Sequence, residues 1–187
     1  SGHVRIYDFI GTSWVQIGQD IDGEAENNFS GTSVSLSADG KIVAIGASGN
    51  DENGSRSGHV RVYEFIGTSW DQIGEDIDGE AASDMSGYSV SLSADGTRVA
   101  IGAHYNNGVN GEDSGHVRIY DFIGTSWVQI GEDIDGEAAY NESGSSVSLS
   151  ANGTIVAIGA IFNDGNGSDS GHVRIYDFIG TSWVQIG

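Results

Sequence analysis

A tandem repeat is the feature of this sequence that most restricts its possible folds. The segment SGHVRIYDFIGTSWVQIG occupies residues 1–18, 114–131 and 170–187 without a change, and residues 57–74 repeat it with three substitutions. Successive copies begin 56, 57 and 56 residues apart. The chain is therefore expected to form a series of equivalent units, and because it stops within a repeat, we expect a longer array or a subunit that needs neighbours.

Each period contains four strand-like runs separated by turn residues. The apolar residues include 20 Ile and 15 Val but only 3 Leu and 1 Met, a choice that favours strands and argues against helical bundles. The sequences SADG at 37–40 and IGTS at 66–69 predict turns. In the first full repeat we name the runs a, b, c and d, and they cover residues 32–37, 41–47, 58–66 and 69–73.

Four antiparallel strands per period are typical of a β-propeller blade. Strand b is apolar at nearly every position, so such a sheet needs a neighbour on each face. A β-solenoid is the competing architecture, but its coils are usually much shorter. We predict an all-β propeller segment of about three and a half blades. Residues 1–18 are expected to supply strands c and d of a half-blade that a neighbour completes. The three full blades are expected at 19–74, 75–131 and 132–187.

Three motifs recur in step and resemble the FG-GAP repeat of integrin alpha chains. In the first repeat they are FSGTSVSLS at 29–37, VAIGA at 43–47 and SGHVRVY at 57–63. The resemblance implies a seven-bladed ring used in adhesion, which this chain cannot close alone. The calcium loops of that family lie between strands a and b. Here that turn is too short to hold an ion, so those metal residues do not carry over.

A net charge of −20 restricts the partners. Such a surface repels nucleic acid and anionic lipid, and no apolar run is long enough to span a bilayer. There is no cysteine, so thiolate chemistry and disulfides are excluded. We expect a secreted or cell-surface protein whose partners are other repeats of the array, other copies of the chain, or an extracellular protein or glycan.

Acidic residues at alternate positions are candidate Ca²⁺ ligands, because calcium loops use oxygen ligands in this spacing. The Asp-x-Asp-Gly-Glu motif and a weaker loop motif are the two candidates, and the alternative is that these residues cap turns and keep the surface soluble. The motif residues are Asp20, Asp22, Glu24, Asp76, Asp78, Glu80, Asp133, Asp135 and Glu137, and the loop residues are Asp164, Asn166 and Asp169.

Four histidines, four arginines and four tryptophans recur once per repeat, and we assign them structural roles. One histidine per blade cannot converge on a single metal ion. The arginines are expected to pair with carboxylates between blades, and the tryptophans of strand d to seal the gaps between blades. These residues are His3, His59, His116, His172, Arg5, Arg61, Arg118, Arg174, Trp14, Trp70, Trp127 and Trp183.

Differences between repeats concentrate in the d-to-a and b-to-c connections, which lie on one face of a propeller. This face is either a varied binding surface or a set of loops that tolerate change. A lectin-like role would use its aromatic residues. The candidate ligand residues are Phe29, Met85, Tyr88, His104, Tyr105, Tyr140 and Phe162.

No nucleophile elbow or single Ser-His-Asp set is present, so we expect no catalysis. Five Asn-x-Ser/Thr sequences in predicted loops are candidate glycosylation sites. They begin at Asn28, Asn53, Asn141, Asn152 and Asn166. The sequence thus favours a non-catalytic extracellular protein with a structural or adhesive role, stabilised by calcium, and a glycan-binding propeller is the alternative.

Overall fold

The computed structural model describes all residues 1–187 and consists of β-strands, turns and loops. No helix in it could cross a membrane. The strands are β1 (His3–Val4), β2 (Tyr7–Ile10), β3 (Ser13–Gln16), β4 (Ile21–Asp22), β5 (Ser30–Leu36), β6 (Ile42–Ala47), β7 (His59–Phe65), β8 (Trp70–Gln72), β9 (Ile77–Asp78), β10 (Ser89–Leu92), β11 (Arg98–Ala103), β12 (His116–Ile123), β13 (Ser126–Gln129), β14 (Ile134–Asp135), β15 (Ser143–Leu149), β16 (Ile155–Ala160), β17 (His172–Ile179) and β18 (Ser182–Gln185).

Three complete antiparallel sheets follow one another along the chain, and we call them blades 1, 2 and 3. Their strand orders are β5-β6-β7-β8, β10-β11-β12-β13 and β15-β16-β17-β18. The pairs β1-β4 and β2-β3 form a half-blade before blade 1. Each blade therefore has the predicted order a-b-c-d, with strand a at one edge and strand d at the other.

The observed strands of blade 1 agree with the predicted ones to within two residues at each end. The sequence predicts only a connection after strand d, whereas β9 and β14 pair again with strand c of their own blade. The outer strand is therefore made of two pieces, with Ile77 opposite Val60 and Ile134 opposite Val117. This pairing fixes the direction of the acidic side chains that flank each isoleucine.

Apolar cores lie between successive blades, as the repeat pattern predicts. In blade 2, Ala100 on strand b packs toward blade 3, while its neighbours Val99 and Ile101 pack toward blade 1. Strand b is buried from Val43 to Ala47 in blade 1 because both of its faces are covered. Each sheet thus depends on its neighbours to remove apolar surface from water.

The alternation along strand a gives each blade two different faces. The serine face points to the following blade, where Ser33 Oγ donates to Gly87 O at 2.7 Å and Ser35 Oγ accepts from Leu92 N at 3.0 Å. The opposite face carries Val90 and Leu92 in blade 2, and both pack toward blade 1. Because the serine face of one blade meets the apolar face of the next, the blades stack in one orientation.

A glycine in each VAIGA segment allows the inner strands to approach closely. A Cβ on Gly46 would collide with the carbonyl oxygen of Gly87, and a Cβ on Gly102 with that of Gly144. Gly87 has a positive φ of 80° and donates its own N–H to Gly102 O at 3.1 Å. These glycines are therefore required where two blades meet.

The tryptophan of strand d closes the outer part of the same interface. The indole N–H of Trp70 donates to Ile17 O at 2.9 Å, that of Trp127 to Ile73 O at 2.9 Å, and that of Trp183 to Ile130 O at 3.1 Å. Each acceptor belongs to the preceding repeat. Three of the four tryptophans thus lie across the gaps between blades, as predicted, whereas Trp14 is exposed.

Candidate functional site between the blades

The acidic motif follows strand d and runs along the edge of its own blade. Ile77 is buried in the core between blades 1 and 2, so the residues beside it, Asp76 and Asp78, point to the opposite side of the strand, where both are half-buried. Register pairs Asp78 with His59 on strand c. The alternating pattern of the motif is thus explained by a short strand with one buried side chain.

A first cluster of ionisable groups forms where the half-blade meets blade 1. His59 Nδ1 lies 3.1 Å from Asp76 Oδ2 and 4.0 Å from Glu24 Oε2. Glu52 contributes a further carboxylate to the same group. Arg61 Nη1 lies 3.4 Å from the other oxygen of Glu24. The cluster joins residues of two successive repeats.

The same arrangement recurs between blades 1 and 2. His116 Nδ1 lies 3.5 Å from Asp133 Oδ2 and 3.9 Å from Glu80 Oε2. Arg118 Nη1 lies 3.5 Å from Glu80 Oε1. The recurrence shows that this is a property of the repeat, and that each cluster needs a glutamate from the preceding motif.

The half-blade pairs its arginine differently. Arg5 Nη2 lies 2.7 Å from Asp20 Oδ2, and hydrogen bonds from Arg5 and Gln16 lower the pKa of Asp20 to about 2. Asp20 is the equivalent of Asp76, which pairs with a histidine. In the half-blade the arginine thus pairs with the first aspartate of its own motif, whereas Arg61 and Arg118 contact a glutamate of the preceding motif.

Burial and hydrogen bonding act in opposite directions on the carboxylates. Burial tends to raise the pKa of Asp76, but the nearby His59 imidazole and a hydrogen bond from Gln72 bring it below its ordinary value. Burial raises the pKa of Asp78. Burial, reinforced by the charge of the neighbouring arginine, lowers the pKa of His116 to about 4.

Both clusters open onto acidic cavities. The first cavity, about 440 Å³, is lined by five carboxylates and no basic residue. The second, about 410 Å³, contains His116 and the carboxylates of the second cluster. The first is lined by Glu24, Glu52, Gln72, Gly74, Glu75, Asp76 and Asp78.

The Ca²⁺ hypothesis requires the three carboxylates of one motif to meet at one point. In the structure they do not. Asp76 and Asp78 line the first cavity, whereas Glu80 reaches the second. Asp133 and Asp135 line the second cavity, and Glu137 lies 3.5 Å from His172 of blade 3. Asp22 offers its backbone carbonyl to Arg61 at 2.9 Å.

The weaker calcium candidate forms a turn. Asp164 Oδ1 accepts the backbone N–H of Asp169 at 2.8 Å, and the backbone N–H of Asn166 donates to Ser170 Oγ at 3.3 Å. Asp51 makes the equivalent bond to the N–H of Arg56 at 2.7 Å. The first aspartate of each loop therefore has the turn-capping role that was the alternative interpretation.

Three of the candidate ligand residues form a stack on the face that carries the d-to-a and b-to-c connections, which we call the varied face. The ring of His104 lies 3.9 Å from that of Tyr88 and 4.0 Å from that of Tyr105, measured between centroids. His104 is buried and the tyrosines are partly exposed. The others contribute no ring to this stack. Phe29, Tyr140 and Phe162 are exposed, and Met85 is half-buried.

Two of the five glycosylation candidates are corrected by the structure. Asn28 and Asn141 are buried, and the Asn141 side chain accepts a hydrogen bond from Asn163 at 2.8 Å, so neither position has room for a glycan. Asn53, Asn152 and Asn166 are exposed. The pattern Asn-x-Ser/Thr does not distinguish an exposed loop residue from one that is packed beneath a loop.

The sequence alone does not reveal the histidine clusters or the contribution of Glu52. Recurrence of the histidines argues only against a single metal site shared by all blades. The available signal was their spacing: each histidine precedes an aspartate of the motif by 17 residues, in His59 and Asp76 and in His116 and Asp133. One site per blade interface satisfies that spacing.

Comparisons with known proteins agree with this architecture. A family model described as the FG-GAP repeat matches residues 20–63, 77–120 and 134–176, and each match runs from the acidic motif through strands a, b and c of one blade. A search of the curated proteins finds no match.

Solved β-propellers share the fold. A periplasmic gluconolactonase of Pseudomonas aeruginosa superposes with a TM-score of 0.57 at 14% identity, covering 98% of this chain and 51% of that one. A putative 6-phosphogluconolactonase of Bacteroides fragilis gives 0.55 at 12%, covering 82% and 36%. The Cps50 (Swd1) β-propeller domain of Myceliophteria thermophila gives 0.52 at 12%, covering 84% and 38%. The chain thus has propeller blades and spans about a third to a half of these proteins, some of which are enzymes.

Proposed function

The chain belongs to the FG-GAP repeat family, and from this premise we propose that it is a non-catalytic structural module whose two terminal faces bind further blades of the same kind. The observation that carries the proposal is the tryptophan bond between repeats, which is made three times within the chain. A fourth equivalent tryptophan, Trp14, has the same surroundings in sequence and no such acceptor.

The first terminal face is an incomplete copy of the interface between blades. Trp14 is 69% exposed, whereas Trp70 is 3% exposed. Val34 and Leu36 on strand a are also exposed, although their equivalents in blade 2 are buried. This face therefore presents the aromatic and aliphatic surface that elsewhere receives a preceding blade.

The last terminal face is the complementary half. Val173 is 65% exposed, whereas its equivalent Val117 is fully buried. Ile175 is exposed, although its equivalent Ile119 is buried. The carbonyl of Ile186 occupies the position equivalent to the acceptors Ile17, Ile73 and Ile130. A blade that carries Trp14 can therefore dock on this face with the contacts already used inside the chain.

A structural role without catalysis is supported by the repetition of the polar groups. The two acidic cavities share three carboxylates at equivalent positions of successive repeats, whereas an active site needs different groups that converge once. The equivalent pairs are Glu24 and Glu80, Asp76 and Asp133, and Asp78 and Asp135. The strong negative charge and three exposed acceptor asparagines support a secreted or cell-surface setting, in which the array would serve adhesion.

Sedimentation of two single variants tests the proposal. Wild-type chain is expected to associate between micromolar and millimolar concentration. Trp14→Ala damages the first face and Val173→Asp the last, so each variant alone is expected to remain monomeric. An equimolar mixture is expected to form a dimer, because each variant supplies the face that the other lacks. Val109→Ala, at an exposed site away from both faces, is the control and should associate normally.

Two results would refute the proposal. One is a wild-type chain that stays monomeric at millimolar concentration. The other is association of Trp14→Ala and Val173→Asp that equals that of the wild type, since the contact would then lie elsewhere on the surface.

Glycan binding on the varied face is the second candidate, and the stack of Tyr88, His104 and Tyr105 favours it. Partly exposed aromatic rings supply the apolar surface on which sugar rings can pack. A glycan array probed with the wild type should show ligands that are lost in Tyr88→Ala and kept in Tyr140→Ala, which changes an exposed tyrosine outside the stack. An array without any ligand would contradict this candidate.

A further inference from the structure

We propose that the two clusters between blades are binding sites for a divalent first-row transition metal ion such as Zn²⁺. The first site consists of Glu24, Glu52, His59 and Asp76, and the second of Glu80, His116 and Asp133. Each ion would join a glutamate of one repeat to the histidine and aspartate of the next. The inference is independent of the association proposed above.

The buried histidine indicates a ligand at the first site. His59 is 1% exposed, and its Nδ1 atom has no hydrogen-bond partner although it faces Asp76 and Glu24. A buried nitrogen without a partner is costly unless a proton or a cation lies between it and the neighbouring oxygens. A metal ion bound to Nδ1 satisfies the imidazole and the carboxylates together.

The charges at the first site favour a dication. Five carboxylates line its cavity, and the nearest basic group, Arg61, contacts Glu24 through Oε1. The other carboxylate oxygen, Oε2, remains directed at His59. One arginine offsets one of these negative charges, so a divalent ion would reduce the remaining repulsion.

The distances fit a small ion with nitrogen and oxygen ligands. Ligand atoms in a tetrahedral zinc site with bonds of about 2.0–2.1 Å are about 3.3 Å apart. His59 Nδ1 and Asp76 Oδ2 are 3.1 Å apart and need little movement. Glu24 must approach from 4.0 Å, which its half-exposed side chain permits. Ca²⁺ prefers six to eight oxygen ligands and is therefore disfavoured beside an imidazole.

The two sites differ in one ligand. Glu52 belongs to the first cluster, whereas Val109 lines the second cavity at the equivalent place in the loop. The second site thus has three protein ligands and room for water. We therefore expect the first site to bind zinc more tightly than the second.

Calorimetric titration of the metal-free chain with ZnCl₂ tests this inference. At a concentration where sedimentation shows a monomer, two ions per chain are expected, with one site lost in His59→Gln and the other in His116→Gln. His3→Gln is the matched control, since His3 occupies the same position of the repeat in the half-blade, outside both clusters. CaCl₂ should bind at least tenfold more weakly.

Two further measurements keep the test decisive if a buried histidine cannot be replaced without unfolding. Glu24→Gln and Glu80→Gln change partly exposed residues, and each is expected to weaken zinc binding at its own site at least tenfold. Co²⁺ should produce the visible absorption of a tetrahedral site in the wild type. Absence of zinc binding, or zinc binding that is unchanged in the histidine and glutamate variants, would overturn the inference.

Discussion

Replacement of Trp70 by alanine is the most direct test of the stacked-blade architecture, because the chain contains its own control. Trp14 lies in a segment identical to that of Trp70 except at three positions, and it occupies the same place in the repeat. The two residues differ in their burial: Trp70 is 3% exposed against the preceding repeat, whereas Trp14 is 69% exposed.

The magnitude follows from the contacts of the Trp70 side chain. Its ring is buried against Phe65, with ring centroids 5.2 Å apart, and its indole N–H donates to Ile17 O. Truncation of a buried tryptophan to alanine costs about 3–5 kcal/mol. Trp70→Phe, which keeps most of the ring volume, separates the loss of the hydrogen bond, worth about 1 kcal/mol. Trp14→Ala is expected to change stability by less than about 0.5 kcal/mol, because its ring is exposed.

Urea unfolding followed by far-ultraviolet circular dichroism measures these differences. The chain must be diluted until sedimentation shows a monomer, because association would cover Trp14. We expect the wild type and Trp14→Ala to share the highest unfolding midpoint, Trp70→Phe to have a lower one and Trp70→Ala the lowest. Equal losses in Trp14→Ala and Trp70→Ala, or a loss below about 1 kcal/mol in Trp70→Ala, would refute the reasoning, since burial by the preceding repeat would then contribute nothing.

Three further changes test other parts of the structure. Ser35→Ala leaves the backbone N–H of Leu92 without its acceptor and should lower the free energy of unfolding in urea by about 1–2 kcal/mol. Ser148→Ala, at the exposed equivalent position, should lower it by almost nothing. Equal losses in the two variants would contradict this assignment. Burial lowers the pKa of His104 to about 4, so the free energy of unfolding should fall as the pH drops from 6.5 to 4. His104→Gln should remove up to about 3 kcal/mol of that loss. A pH profile that is unchanged in the variant would argue against the burial. Ser83 has a φ of 74°, so Ser83→Gly should raise the melting temperature, by up to about 1 kcal/mol of stability, and a lower value would show that no strain is present.

The strands and their order could be predicted because periodicity and turn residues are local signals. Val34 and Leu36 alternate with serines, and SADG at 37–40 forms the expected turn, in which Ser37 Oγ donates to Asp39 Oδ1 at 2.8 Å. The second pairing of strand c was not predicted, because Ile77 stands alone between aspartates. A two-residue strand has too little pattern to be recognised before its partner is known.

The candidate site was predicted in its parts but not in its assembly. The acidic motif and the histidines were both identified, yet Glu24 and His59 are 35 residues apart in sequence and meet only through the stacking of two repeats. Burial was the other missing information. Asn28 and Asn53 share the same acceptor pattern, and only the packing of the loops shows that one of them is inaccessible.

The connections on the varied face share one backbone conformation in all three repeats but carry different side chains. Nine residues other than glycine adopt positive φ, all of them in these connections and three in each repeat. Phe29, Met85 and Glu142 occupy one equivalent position with φ between 50° and 55°. Side chains branched at Cβ are strongly disfavoured there, and a chain rich in isoleucine and valine places neither at these nine positions. Each repeat can therefore exchange an aromatic, a thioether or an acidic group at a fixed point in space, so its surface chemistry can evolve while the scaffold below stays unchanged.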